Sequence, residues 1–300
     1  MYFLSIAQHN VQNYGRRCWL FLFLLVSARN PLNSIPGIRV DGLATRESSR
    51  KSVFQTDPLV EALLAKRQEE FFSMGLVVGW PPHSSLKPSY DRFISIIQQL
   101  VFEEHEETDA LQQKSHPSIF FTPFPTLHIT VATLMNTTRI KDMNVSIDRL
   151  HKDWKHILLE VSKLPEWPVG PLRLRVQSAD ISTRAGILLW QEETGRLERI
   201  RSCLWSFFAP NNHLPEAYGY LREYLAIPKI IHTTFARYYK SPHSSFEDAR
   251  SRLKKHVLPQ MANLFPEPVV VDVIKMADAY IYFQEPAGQD HSTVVSIPLR

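Results

Sequence analysis

Apolar residues recur at helical spacing in several separated stretches of the chain and alternate at strand spacing in others. Pro58 to Met74 predicts a helix, with Asp57 as N-cap, Pro58 at the first helical position, and Leu59, Ala62, Leu63 and Phe71 on one face. Leu76 to Trp80 is a short β-rich run stopped by Pro81-Pro82, and Tyr90 to Glu104 predicts a second helix through Phe93, Ile96, Ile97 and Leu100. Leu127 to Leu134 alternates as a strand, and Val145 to Leu164 is an amphipathic helix. Leu172 to Val176 and Gly186 to Gln191 read as strands, Arg196 to Phe208 as a helix and Lys229 to Tyr239 as a strand. Ser245 caps a helix running to Met261, and strands follow at Val269 to Ile274, Ala279 to Phe283 and Thr293 to Ile297. The order helix, strand, helix, strand occurs before Leu172 and roughly again after it, which suggests two related halves. The expected fold is α+β: two pseudo-symmetric lobes of antiparallel sheet, with outer helices, around a central cleft.

Composition narrows the classes. A hydrophobic fraction of 44% over 300 residues supports a packed core and excludes wholesale disorder. The net charge of +4 suits an anionic ligand without indicating nucleic acid, because the basic residues do not gather into a stripe. Two cysteines, Cys18 and Cys203, give neither a disulfide framework nor a cysteine zinc site. Cys203 sits in an apolar stretch and is expected to be a buried free thiol. No His-Glu-x-x-His or Asp-x-Asp run offers metal-ligand spacing, and no Gly-rich phosphate loop is present, so no metal and no cofactor is expected.

The first 40 residues contain no Asp or Glu but four arginines. Arg16-Arg17, the apolar run Cys18 to Val26 and the small-residue site Val26-Ser27-Ala28 have the layout of a secretory signal peptide or anchor, and a mitochondrial presequence is the alternative. Residues 1–28 are thus read as a targeting leader, residues 29–56 as a polar linker and residues 57–300 as the bilobal domain. The compartment stays open, with the secretory pathway slightly favoured. No later run is long enough for a membrane span, and a monomer is expected.

Two short strands carry the candidate chemistry: Leu127-His128-Ile129-Thr130-Val131 and Ile231-His232-Thr233-Thr234-Phe235. Side chains alternate across a strand, so His128 shares a face with Thr130, and His232 with Thr234, while the flanking apolar residues point into a core. One imidazole can take a proton from an attacking water or hydroxyl while the other donates to a leaving oxygen. The ordinary histidine pKa lets both forms exist near neutral pH. Threonine hydroxyls can donate to non-bridging phosphate oxygens. A single His-x-Thr is commonplace; two framed alike are the signal.

These residues resemble the two-histidine phosphoesterase superfamily, whose members carry paired His-x-Thr or His-x-Ser strands. His232-Thr233-Thr234-Phe235-Ala236-Arg237 is similar to the His-x-Thr-Leu-x-Arg form of the branch containing bacterial RNA-ligase-like cyclic phosphodiesterases. The resemblance covers roughly residues 70–300. It implies a cleft between lobes and metal-independent action on 2′,3′-cyclic nucleotides, RNA ends or other small phosphodiesters. By the same resemblance His128 and His232 match the catalytic pair, Thr130 and Thr234 the phosphate-binding hydroxyls, and Arg237 the trailing phosphate-holding arginine. Simple alternation puts Arg237 on the face opposite His232, so that role needs a strand end or a bulge. Tyr238 has the parity to stack on a base. Trp80 and Phe124, beside proline-rich turns, are candidates for the cleft mouth. The alternative functions are an RNA 3′ exonuclease of the same fold and a non-catalytic RNA- or nucleotide-binding module.

Overall fold

The computed structural model describes residues 53–57, 60, 71–102, 118–209, 212, 214–239, 245–279 and 291–299. The leader at 1–28, the linker up to residue 52, most of the first expected helix and all but the first residue of the expected strand Ala279 to Phe283 lie outside them. Among the described residues no helix is long and apolar enough to cross a membrane.

Nine strands form two antiparallel sheets among the described residues. They are β1 (Phe71–Val78), β2 (Ile119–Phe121), β3 (Ile129–Arg139), β4 (Leu172–Ile181), β5 (Ala185–Glu192), β6 (His232–Tyr238), β7 (Val269–Val271), β8 (Val273–Ala279) and β9 (His291–Pro298). The first sheet has the order β3-β1-β8-β9 and the second β2-β6-β5-β4-β7. The main helices are α1 (Lys87–Ile96, continued as wider turns through Phe102), α2 (Ile147–Val161), α3 (Arg196–Phe207) and α4 (Phe246–Arg252). The fold is the expected α+β arrangement of two lobes.

Local sequence accounts for most of these elements. Ser146 and Ser245 cap α2 and α4, their hydroxyls accepting from the backbone N–H of Arg149 and Asp248. One expected helix is corrected. Phe71 to Met74 belong to β1 rather than to a helix end: Phe72, Met74 and Leu76 are buried while Phe71, Ser73 and Gly75 are partly exposed, which is period two. The linker reading also ends early. Phe54 is buried against Phe102, Tyr238 and Phe246, and backbone bonds from Gln55 N–H to the Thr183 carbonyl (2.7 Å) and from Asp57 N–H to the Tyr238 carbonyl (2.8 Å) sew this segment to the second lobe.

The lobes are not contiguous halves, contrary to the expected division near Leu172. The first core packs β1, β3 and β8 against α2 and α3, through residues such as Leu76, Val131, Trp154 and Leu204. The second packs β4, β5 and β6 against α1 and α4, through Phe93, Val176, Leu188 and Phe246. Helix α1 therefore follows a strand of the first sheet but covers the second, and α3 follows a strand of the second sheet but covers the first. Where the lobes meet, Thr133 on β3 exchanges backbone hydrogen bonds with Ala226, 2.7 and 2.9 Å. The edge of the first sheet is thereby fastened to the segment leading into β6.

Candidate active site

His128 lies just ahead of β3 in extended backbone, with Leu127, Ile129 and Val131 buried on one side and His128 and Thr130 turned outward. Its Nδ1 stands 2.9 Å from the Thr126 carbonyl. A carbonyl can only accept, so Nδ1 carries the proton and Nε2 is the nitrogen left for chemistry. Thr126 is itself buried and donates its hydroxyl to the Pro123 carbonyl at 2.8 Å, which fixes the platform under the ring.

His232 opens β6 and is partly buried, where His128 is exposed. The Ile230 carbonyl, also two residues back, bears on its ring and favours the charged form, although the buried Nδ1 makes no hydrogen bond of ordinary geometry. The His232 pKa is nonetheless pushed below the ordinary value. Burial is the main cause, and the charges of Arg201, His128 and Arg237 add to it. His128 is thus near enough to act on His232 electrostatically. The middle threonine of this motif, Thr233, is buried and accepts a hydrogen bond from Trp190 Nε1 at 2.9 Å, which pins β6 to β5.

The fate of the residues beyond Thr234 turns on one irregularity. Leu189, Leu188 and Ile187 on β5 stand opposite His232, Thr233 and Thr234, but the next pair is Gly186 with Ala236. Phe235 is therefore an extra residue, and the strand bulges there. Partners across an antiparallel ladder point the same way, so Arg237, opposite Ala185, returns to the face of His232 and Thr234. Its Nη1 donates to Asp57 Oδ2 at 2.8 Å, within the segment sewn to the second lobe. The ring of Phe235 lies over Gly186, where an added Cβ would come within 2.5 Å of it.

The same bulge corrects the reading of Tyr238. Its parity is inverted: the ring is fully buried, edge-on to Phe54 at 4.5 Å and Phe102 at 6.3 Å, and it cannot meet a base. Trp80 and Phe124 do border cavities beside His128. Trp80 lines one with Thr126, His128 and Thr130, and Lys275 Nζ sits 5.5 Å over its ring. Phe124 lines the other, a mostly apolar one, with Tyr90 and Trp190. His83 is exposed and bonded to Ser85, and it borders that cavity too.

Sequence reasoning missed Arg201. It is 3% exposed and reaches the backbone of both motif segments. The available signal was its place in α3, between Leu197 and Leu204 on the buried face. Cys203 is the buried thiol expected, its pKa pushed up to about 11, mainly by burial. No group of three or more His, Cys, Asp or Glu side chains stands together as a metal site among the described residues.

This is the two-lobed architecture, with one His-x-Thr segment from each lobe, that the resemblance to the two-histidine phosphoesterases implies. No family model and no curated protein matches the chain. Solved structures similar to it include the conserved protein of unknown function ATU0111 from Agrobacterium tumefaciens, with TM-score 0.43 and 14% identity over 72% of this chain and 83% of that one. TT0787 of Thermus thermophilus is another, with TM-score 0.39 and 12% identity over 76% and 98% of the two chains. A third is Kluyveromyces marxianus Usb1 with uridine monophosphate, with TM-score 0.36 and 15% identity over 77% and 99%. At these values the likeness is a loose one of fold.

Proposed function

We propose that the protein is a metal-independent phosphoesterase that hydrolyses 2′,3′-cyclic phosphodiesters of nucleotides or RNA ends. The observation that carries this reading is that a single side chain, Arg201, reaches the backbone at both His-x-Thr segments, at Thr130 and Val131 and at Ile230, beside a partly buried His232 whose pKa is lowered. His232, held neutral near pH 7, suits the base. It takes a proton from a water whose oxygen attacks phosphorus. His128, more open to the cleft and with Nδ1 already committed to the Thr126 carbonyl, suits the acid. Its protonated Nε2 gives a proton to the ribose oxygen as the P–O bond of the ring breaks. The hydroxyls of Thr130 and Thr234 donate to the non-bridging oxygens as charge builds, and Arg237 adds positive charge on the same face. The product is a ribose phosphomonoester with one free hydroxyl.

The test is a hydrolysis screen of the 2′,3′-cyclic nucleotides, cyclic phosphates of ADP-ribose and short oligoribonucleotides, with EDTA present and the products identified. Ring opening that needs both histidines is expected. Stepwise shortening of oligoribonucleotides without ring opening would favour the exonuclease. Binding without turnover of any of them would leave the non-catalytic module. Activity lost in EDTA and restored by a divalent ion would count against the mechanism.

A further inference from the structure

Arg201 is a cation where the pattern of α3 calls for an aliphatic side chain. A buried guanidinium is costly unless its donors are satisfied, so what it touches is informative. Nη2 donates to the Thr130 carbonyl at 3.3 Å and to the Ile230 carbonyl at 3.2 Å, and Nε donates to the Val131 carbonyl at 3.3 Å. Nη1 pairs with Glu198 at 2.7 Å, a carboxylate that is mostly exposed. Three of these contacts are to backbone. Thr130 and Val131 follow His128 on β3, and Ile230 stands two residues before His232, with its carbonyl bearing on the His232 ring. One side chain, borne on a helix of the first core, thus spans the gap between the two motif segments.

We propose that Arg201 is a positioning residue that fastens the two motif strands to each other and so sets the separation and alignment of the His128 and His232 imidazoles. A planar fork with five donors can bridge carbonyls on two strands, and neither lysine nor an apolar residue can reproduce that span. Arg201 also draws on the Ile230 carbonyl, competing with the ring for the same acceptor. Its charge joins those of His128 and Arg237, the latter paired with Asp57, around His232. Arg201 therefore acts on both the position and the protonation state of the partly buried imidazole. The effect on rate rests on the phosphoesterase reading; the effect on the imidazole does not.

The experiment compares the full chain with Arg201→Lys and Arg201→Met. The ring-nitrogen signals of His128 and His232 are followed by NMR against pH, and kcat and KM are measured on the best substrate. Arg201→Met is expected to raise the His232 pKa toward the ordinary value. It should also lower kcat by about 10-fold to 100-fold, the scale on which small misplacements act, with KM little changed. Arg201→Lys keeps the charge, so the His232 titration should move less, while kcat still falls because one ammonium cannot hold three carbonyls. If Arg201→Met does not fold, the lysine variant decides alone. A folded lysine variant with unchanged ring signals and unchanged kcat overturns the proposal, as does a methionine variant that is merely less heat-stable. The ring titration needs no turnover. A wild-type protein inactive on every phosphodiester would therefore sink the phosphoesterase reading while leaving Arg201 to be judged on the His232 signals.

Discussion

The two His-x-Thr segments are nearly the same in sequence and unlike in setting. His128 stands at the entrance to an edge strand, open to the cleft, with its ring fixed by one good hydrogen bond to Thr126. His232 begins an interior strand of the second sheet, its ring partly buried and bounded by the charges of Arg201, His128 and Arg237. The difference teaches that a repeated motif need not mean a repeated role. Partial burial beside cations favours the neutral imidazole at His232, and under the proposed mechanism the more exposed His128 carries the proton.

The strongest attack on this comparison removes either ring. His128→Ala and His232→Ala are each expected to lower kcat/KM on the cyclic substrate by on the order of 10²–10⁴-fold, with the fold intact by circular dichroism. The double variant should cost much less than the product of the two, because the pair works as a unit. A single variant that keeps near-normal turnover would end the acid–base reading. Thr130→Val and Thr234→Val keep shape and delete one donor each, so kcat should drop by at most about 10²–10³-fold. Equal losses in the two would show that the hydroxyls, unlike the rings, work symmetrically.

The bulge offers a third way in. Gly186→Ala drives a methyl into the Phe235 ring and is expected to cost about 1–3 kcal/mol in urea denaturation, as overpacking does. The same change at a site without such contact should cost far less. Acid provides a fourth. The His232 pKa is lower in the folded state than in the unfolded chain, so between the two values the unfolded chain binds more protons. The contribution of His232 is therefore fully present above roughly pH 6.5, the unfolded value, and stability falls as the pH drops below it. His232→Gln should flatten that part of a plot of unfolding free energy against pH. An unchanged slope would mean the ring is not held neutral by the fold. Smallest of all is Tyr238→Phe. The hydroxyl is buried without a partner among the described residues, so its removal should leave KM unchanged and the melting temperature equal or slightly higher. A raised KM would return Tyr238 to the substrate.

How far these features were legible depends on how local their cause is. The motif strands announce themselves because Leu127, Ile129 and Val131 alternate with His128 and Thr130, and a strand has only two faces. The caps Ser146 and Ser245 are local in the same way. Phe71 to Met74 misled because Phe71 also fits a helical face with the charged residues before it, and the period of two emerges only when β1 is paired with β3 and β8. The reading of Tyr238 follows from unbroken alternation, which a single bulged phenylalanine overturns for every residue after it, and the same bulge returns Arg237 to the face that the role implied by the resemblance requires. Arg201 lay hidden because its partners are backbone carbonyls about 30 and 70 residues away, a relation with no trace in spacing along a helix. Phe54 was hidden by its polar neighbours, though one aromatic ring suffices to anchor such a segment to a core.

The exchange of helices between the sheets has a consequence for how the molecule can come apart. Walking from β1 to β9, the backbone passes from one lobe to the other and back repeatedly, so no single break in it yields two pieces that each own a complete sheet and its covering. Neither lobe is a heritable or dissectible module. The pair must be acquired, permuted or lost together, and unfolding is expected as one cooperative transition rather than two. Most sheet neighbours are distant in sequence, which also makes slow assembly the natural expectation. The cleft is thus framed by two bodies that cannot drift apart without the whole chain letting go.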